Sequence, residues 1–125
     1  MAKHISLGKK GEQLAIAHLK QKSYQILETN WRYQKAEVDI IAMFEDVVIF
    51  VEVKTRRSNF FGYPEESVSD AKKRLLSIAA EAYMYEKNLE TDMRFDIIAI
   101  TLNKQTKDIY HIAVSYTHLT LPTIG

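Results

Sequence analysis

The chain of 125 residues contains no cysteine, which excludes disulfides and thiolate chemistry. It has only two prolines and four glycines, and no glycine-rich phosphate loop, CxxC pair, HExxH spacing or internal repeat. Its four histidines are dispersed, so a histidine zinc site has little support. No apolar run approaches the length of a membrane span and no signal-peptide pattern opens the sequence, so a cytoplasmic protein without a membrane partner is expected. A net charge of +1 by itself argues for no partner.

What is present suits one soluble domain able to bury its own core: 46% of the residues are hydrophobic and 26% are charged. The charge is unevenly placed. Residues 1–36 carry +5, residues 37–54 carry −4, residues 55–75 carry +2 and the remainder −2. An acidic centre between basic segments fits a metal site beside phosphate-binding flanks, and it also fits ordinary solubility.

The acidic centre is the stretch around which the chain is organised. Glu37-Val38-Asp39-Ile40-Ile41-Ala42 and Val48-Ile49-Phe50-Val51-Glu52-Val53-Lys54 are both rich in β-branched residues and flank Glu45-Asp46. They read as two antiparallel strands of a hairpin. A two-residue turn at Glu45-Asp46 sets Asp39 opposite Glu52 and Glu37 opposite Lys54, with all four side chains on one face. Two carboxylates held so close repel each other, and a divalent cation is a reason to keep them there. Mg²⁺ takes one or two carboxylates plus waters and phosphate oxygens. Lys54, on the face of Glu52, would point its ammonium toward the same place. The competing reading is a surface hairpin with one Glu–Lys cross-strand pair. Val48 and Phe50 weigh against it, because they share the face of Glu52 and make that face partly apolar.

The rest of the chain supplies the frame. Leu7 to Lys22 reads as a helix with Ile5, Gly8, Glu12, Ala15, Ile16 and Leu19 on one side, which puts Glu12 on or beside the packing stripe. Tyr24 to Tyr33 reads as a first strand. Asn30, Trp31, Arg32 and Tyr33 offer contacts to a nucleic-acid backbone or base, or else the two aromatics pack in the core or at its rim. Arg56 to Glu66 is a loop holding Phe60, Phe61 and Tyr63 around Gly62 and Pro64, placed either to close over a substrate or to tuck beneath the sheet.

Ser69 is an N-cap for a second helix running to about Lys87. Its packing side is expected to use Val68, Ala71, Leu75, Ile78, Ala79 and Ala82, widened by Leu76 and Tyr83. Lys72 borders that stripe and either reaches back to the acidic hairpin or is solvated. Met93 to Leu102 and Ile109 to Val114 are two further strands, the first carrying an Arg94–Asp96 pair. The expected fold class is therefore α/β of the α+β type, a mixed β-sheet flanked by helices in the order α-β-β-β-α-β-β.

Several stretches together resemble a known family. They are Gly8-Lys9-Lys10-Gly11-Glu12, Asn30-Trp31-Arg32, Glu37-Val38-Asp39-Ile40-Ile41-Ala42, Phe50-Val51-Glu52-Val53-Lys54-Thr55-Arg56, Phe61-Gly62-Tyr63-Pro64-Glu65, Lys72 and Arg94-Phe95-Asp96-Ile97-Ile98. In this spacing the chain resembles the PD-(D/E)xK nuclease superfamily. More closely, from about Leu7 to Ile112, it looks like the YraN family of small bacterial endonuclease-like proteins, which are similar to archaeal Holliday-junction resolvases.

The resemblance implies a restriction-endonuclease-like sheet and hydrolysis of DNA, branched or otherwise structured, with Mg²⁺ or Mn²⁺. Asp39, Glu52 and the carbonyl of Val53 would hold the metal, Lys54 would orient the attacking water, and Glu12 would complete the site from the first helix. Glu37 would support these groups from behind. Asn30, Arg32, Arg56 and Lys72 would contact the substrate, and a homodimer is implied by analogy. A module of the same fold that binds nucleic acid without turnover is the alternative, and a purely structural role is a third reading. Residues 114–125 depart from the family and read as a non-native tail after a single domain of residues 1–113.

Overall fold

Ser6 opens the first helix, α1 (Leu7–Gln21), by accepting the Lys9 N–H on its hydroxyl at 3.2 Å. The computed structural model describes residues 5–58 and 69–114. After α1 come β1 (Gln25–Tyr33), β2 (Ala36–Phe44) and β3 (Val47–Arg56), then α2 (Asp70–Glu86), β4 (Asp92–Leu102) and β5 (Lys107–Val114). The α-β-β-β-α-β-β order and the mixed sheet agree with the sequence reading. Val114 ends β5, while residues 115–125 and the aromatic loop residues Phe60, Phe61 and Tyr63 lie outside the described residues.

The five strands form one sheet in the order β1-β2-β3-β4-β5. Every neighbouring pair is antiparallel except β3 and β4, which run parallel because α2 intervenes between them. The hairpin register is the expected one: Phe44 faces Val47, Ile41 faces Phe50 and Ile40 faces Val51. Glu45 and Asp46 both take positive φ, 48° and 63°, the conformation of a two-residue turn whose twist matches the strands.

One helix covers each face. On the α2 side the core contains Val38, Ile41, Val48, Phe50, Phe95 and Ile97 beneath Leu76, Ala79, Ala80, Tyr83 and Met84. On the α1 side Ala15 and Leu19 pack over Ile40, Ala42, Ile49, Val51, Ile98 and Ile100. Trp31 joins the α2-side core, edge-on to Tyr83 and stacked with Tyr33, which favours its packing role.

The packing side of α2 agrees with the expected one at Leu76, Ala79 and Tyr83 and departs from it at Leu75 and Ile78, while Val68 lies outside the described residues. Leu76, Ala79, Ala80, Tyr83 and Met84 face the sheet, while Leu75 and Ile78 stay 40% and 46% exposed. Two apolar stripes share this helix, and the sheet takes the one that carries the large Tyr83 and Met84 side chains. No described helix is long and apolar enough to cross a membrane.

Candidate functional site

Glu52 is the most informative charge on the sheet, because it is only 6% exposed and sits among Val48 and Phe50 on the α2 side. A buried carboxylate needs partners. Lys72, in the first turn of α2, donates from Nζ to Glu52 Oε1, and Lys54 Nζ lies 3.5 Å from the same oxygen. The Ser69 cap fixes where α2 begins, its hydroxyl accepting from the Lys72 N–H at 3.1 Å, and so places Lys72 over the end of β3. Burial works against the Lys72 charge, but the hydrogen bond and charge of Glu52, followed by the charge of Asp39, hold its ammonium above the ordinary range.

Asp39 reaches this place by an irregularity in β2. Val38 packs on the α2 side and Ile40, two residues on, packs on the α1 side, so the regular alternation slips at Asp39. The β2–β3 pairing stops at Ile40 and Val51, one residue short of setting Asp39 against Glu52. Beyond that point the side chain of Asp39 takes over, its Oδ2 accepting the Val53 N–H at 2.8 Å. Burial, then the charge of Glu52, push the Asp39 carboxyl up to about 7, against the opposing hydrogen bond from Val53; Glu12 adds to the rise. The structure thus brings Asp39, Glu52, Val53, Lys54 and Lys72 together.

Glu12 approaches from the other face. Gly11 lets the first turns of α1 settle on Thr55 at the end of β3, which leaves Glu12 beside the strand ends. Glu12 Oε1 accepts from Asn30 Nδ2 at 3.2 Å, and Asn30 holds a left-handed backbone with φ of 50°. Such a φ is tolerated by Asn more readily than by most residues. Glu37 does not join the cluster: it pairs with Arg32 Nη2 at 2.8 Å across the β1–β2 register. Arg56 is the last residue of β3, level with Thr101 of β4.

Among the described residues, no group of three or more His, Asp or Glu side chains is placed to hold a metal ion. Two carboxylates, Asp39 and Glu52, lie near enough for the charge of one to raise the pKa of the other. That set suits a small hard cation that keeps several waters. The charge of Glu52 that raises the Asp39 pKa is the repulsion such a cation would relieve.

A second polar network lies on the α1 face. Asp96 is completely buried and receives Arg94 Nε at 2.7 Å and Nη2 at 2.8 Å, so the expected pair is present. Two histidines that sequence reasoning missed extend it. His111 Nε2 lies 2.6 Å from Asp96 Oδ2, and His18 Nε2 lies 3.2 Å from His111 Nδ1. Tyr24 adds its hydroxyl, accepting from Arg94 Nη2 at 3.0 Å. Burial opposes the Asp96 charge, yet the hydrogen bonds from His111 and Arg94 outweigh it and hold the carboxyl below its ordinary range. His18 and His111 are separated by 93 residues, and neither sits in a motif.

Comparison with known proteins places this geometry in a family. A UPF0102 protein of Flavobacterium psychrophilum is 46% identical over 118 residues, covering 94% of this chain and 99% of that protein. Another, of Christiangramia forsetii, is 50% identical over 112 residues, covering 90% and 94%. The crystal structure of SSO0001 matches at 20% identity with a TM-score of 0.40, across 90% of this chain and 54% of that one. Residues 11–100, which carry Glu12, Asp39, Glu52, Lys54 and Lys72, match the group described as "Uncharacterised protein family UPF0102", and the chain belongs to that family.

Proposed function

We propose that this protein is a divalent-metal-dependent endonuclease that hydrolyses phosphodiester bonds in DNA, branched or otherwise structured. The observation that carries this reading is the pairing of a carboxyl held up to about 7 by burial and by Glu52 with two lysines converging on that same Glu52. Both lysines converge on the one carboxylate of Glu52, one more than a structural ion pair needs, while Asp39 takes a backbone N–H. Here two carboxylates and two ammonium groups share the open end of β3, where a phosphate could lie against the lysines and a cation against the carboxylates.

In this reading Asp39, Glu52 and the Val53 carbonyl hold Mg²⁺ or Mn²⁺, which when bound polarises the scissile phosphate and makes water more acidic. Lys54 orients the attacking water and offsets the charge that builds on the phosphoryl oxygens. Lys72 balances Glu52 before substrate arrives. Glu12, steadied by Asn30, stands ready to accept a proton from the opposite side. Arg56 and Arg32 border the strand ends as phosphate contacts, and Glu37 keeps Arg32 in place.

The test is cleavage of labelled four-way-junction and linear DNA with Mg²⁺ or Mn²⁺ supplied. Asp39→Ala and Glu52→Ala should each lower the rate by about 10²-fold or more. Cleavage at the parental rate by both variants would assign the activity to a contaminant. One observation favours a second reading, a DNA-binding module without turnover: two ammonium groups, Lys72 and Lys54, already balance the Glu52 charge. Salt-dependent binding with no metal-dependent cleavage selects that alternative.

A further inference from the structure

Two of the four histidines meet on the α1 face, in a network that the chemistry of Asp39 and Glu52 does not use. His18 lies in the last turn of α1, and His111 lies in β5 opposite Ile98 of β4. Their facing ring nitrogens, His18 Nε2 and His111 Nδ1, are 3.2 Å apart, with the ring planes at 70°.

The far side of His111 is fixed. Its Nε2 lies 2.6 Å from Asp96 Oδ2, and Asp96 is completely buried, with Arg94 donating to both of its carboxylate oxygens. Tyr24 holds Arg94 in turn, and its own ring is stacked on Phe44. A carboxylate accepting from one nitrogen of a neutral imidazole keeps the proton there, which leaves the other nitrogen with a free electron pair. In His111 that nitrogen is Nδ1, and it is aimed at His18. A ring oriented by a buried carboxylate, with its remaining nitrogen turned toward another donor, is the arrangement that stands behind metal-ligating histidines.

The spacing fits as well. Two nitrogens 3.2 Å apart, each about 2.0–2.1 Å from a Zn²⁺ ion, subtend roughly 100–105° at the metal, near the tetrahedral angle. In the metal-free protein the same separation serves a hydrogen bond, donated by His18 Nε2 to His111 Nδ1. Taking up an ion requires only that the His18 proton move to its Nδ1, because the two rings already stand at the distance that ligation needs.

We propose that His18 and His111 form a metal site distinct from the carboxylate cluster, for a late first-row cation such as Zn²⁺, with water completing the coordination. The ion ties the end of α1 to β5. Imidazole favours such cations, whereas carboxylates suit Mg²⁺ or Mn²⁺, so the two sites are separable by choice of metal. Lys22, whose charge reaches His18, works against a cation there and keeps the affinity below that of a four-ligand structural site.

Calorimetric titration of the full chain with ZnCl₂ in excess Mg²⁺ tests this whether or not the protein cleaves DNA. The parental chain should bind one Zn²⁺ saturably, and its melting temperature should rise as Zn²⁺ is added. His18→Gln and His111→Gln should each weaken binding by about 100-fold or more, at or beyond the upper cost of losing only an outer partner. A chain carrying both His4→Gln and His118→Gln, at the two histidines outside the described residues, should bind as the parent does. His18→Gln changes a partly exposed helix residue and keeps the fold, so it decides the matter should His111→Gln fail to fold. The proposal is overturned by a parental chain without saturable binding, by parental affinity in His18→Gln, or by loss of binding in the His4 and His118 variant alone.

Discussion

Gly11 lies so close to Thr55 that a Cβ built on it would fall 1.8 Å from the threonine Oγ1 and 2.8 Å from its Cβ. No side chain fits that space, so Gly11→Ala must push α1 away from the end of β3. The expected cost is about 1–3 kcal/mol, the usual range for overpacking. Gly8, in the same helix, meets nothing within 4 Å. Gly8→Ala is therefore expected to be neutral or to stabilise by up to about 1 kcal/mol through helix propensity. Urea unfolding of the two variants side by side checks the contrast, and equal stability for both would refute the close-approach account.

The proton on Asp39 gives a pH signature. Its folded carboxyl titrates near 7, well above the ordinary 3.8. A raised acid favours the folded state fully below about 3.8, and that contribution is lost as pH rises through about 7. Metal-free protein should therefore lose this part of its stability between those values, and Asp39→Asn should lack the loss. Because a cation must displace the same proton, Mn²⁺ affinity measured calorimetrically should climb as pH rises through 7 and then level off. An affinity flat across that range would remove Asp39 from the metal site.

Removing Lys72 should expose the stress on Glu52. Lys72→Met leaves a nearly buried carboxylate with Lys54 at 3.5 Å as its only remaining cation among the described residues. Lys72 is itself more than one third exposed, so the loss is discounted to about 1–2 kcal/mol, a melting temperature several degrees lower. Mg²⁺ should then raise the melting temperature of Lys72→Met by more than it raises that of the parent. A smaller metal response in the variant would mean that the cation does not act at Glu52.

Acid should act on the opposite face. Burial, then the charges of His111 and Lys22, hold the His18 pKa below its ordinary 6.5. A lowered histidine favours the folded state above 6.5 and loses that contribution as pH falls below it. His18→Gln should reduce the slope of stability against pH just below 6.5, as followed by denaturant midpoints. An unchanged slope would show that the histidine pair carries no proton linkage.

Much of this fold was legible because its signals are local. Glu45-Asp46 between two β-branched runs fixed the hairpin register, and the Ser69 cap fixed the start of α2. The slip at Asp39 was not legible, since no glycine or proline marks it; beside it the Asp39 carboxylate accepts the Val53 N–H. Nor could periodicity choose between the two stripes of α2, because both are apolar and only the neighbouring sheet decides. The His18–His111 contact depends on α1 and β5 meeting across the fold, which no short window of sequence reports.

The tight turn at Glu45-Asp46 has a consequence for how the chain reaches its native state. It makes the β2–β3 hairpin a local structure, able to form within microseconds, whereas the β3–β4 pairing must wait for the intervening helix. The approach of Asp39 to Glu52 therefore arises early, in a nascent hairpin that has Lys54 but not yet Lys72 beside it. If the two acids hold a divalent ion as proposed, that ion would hasten folding as well as steady the finished protein, and its presence during synthesis would bear on the yield of folded chains.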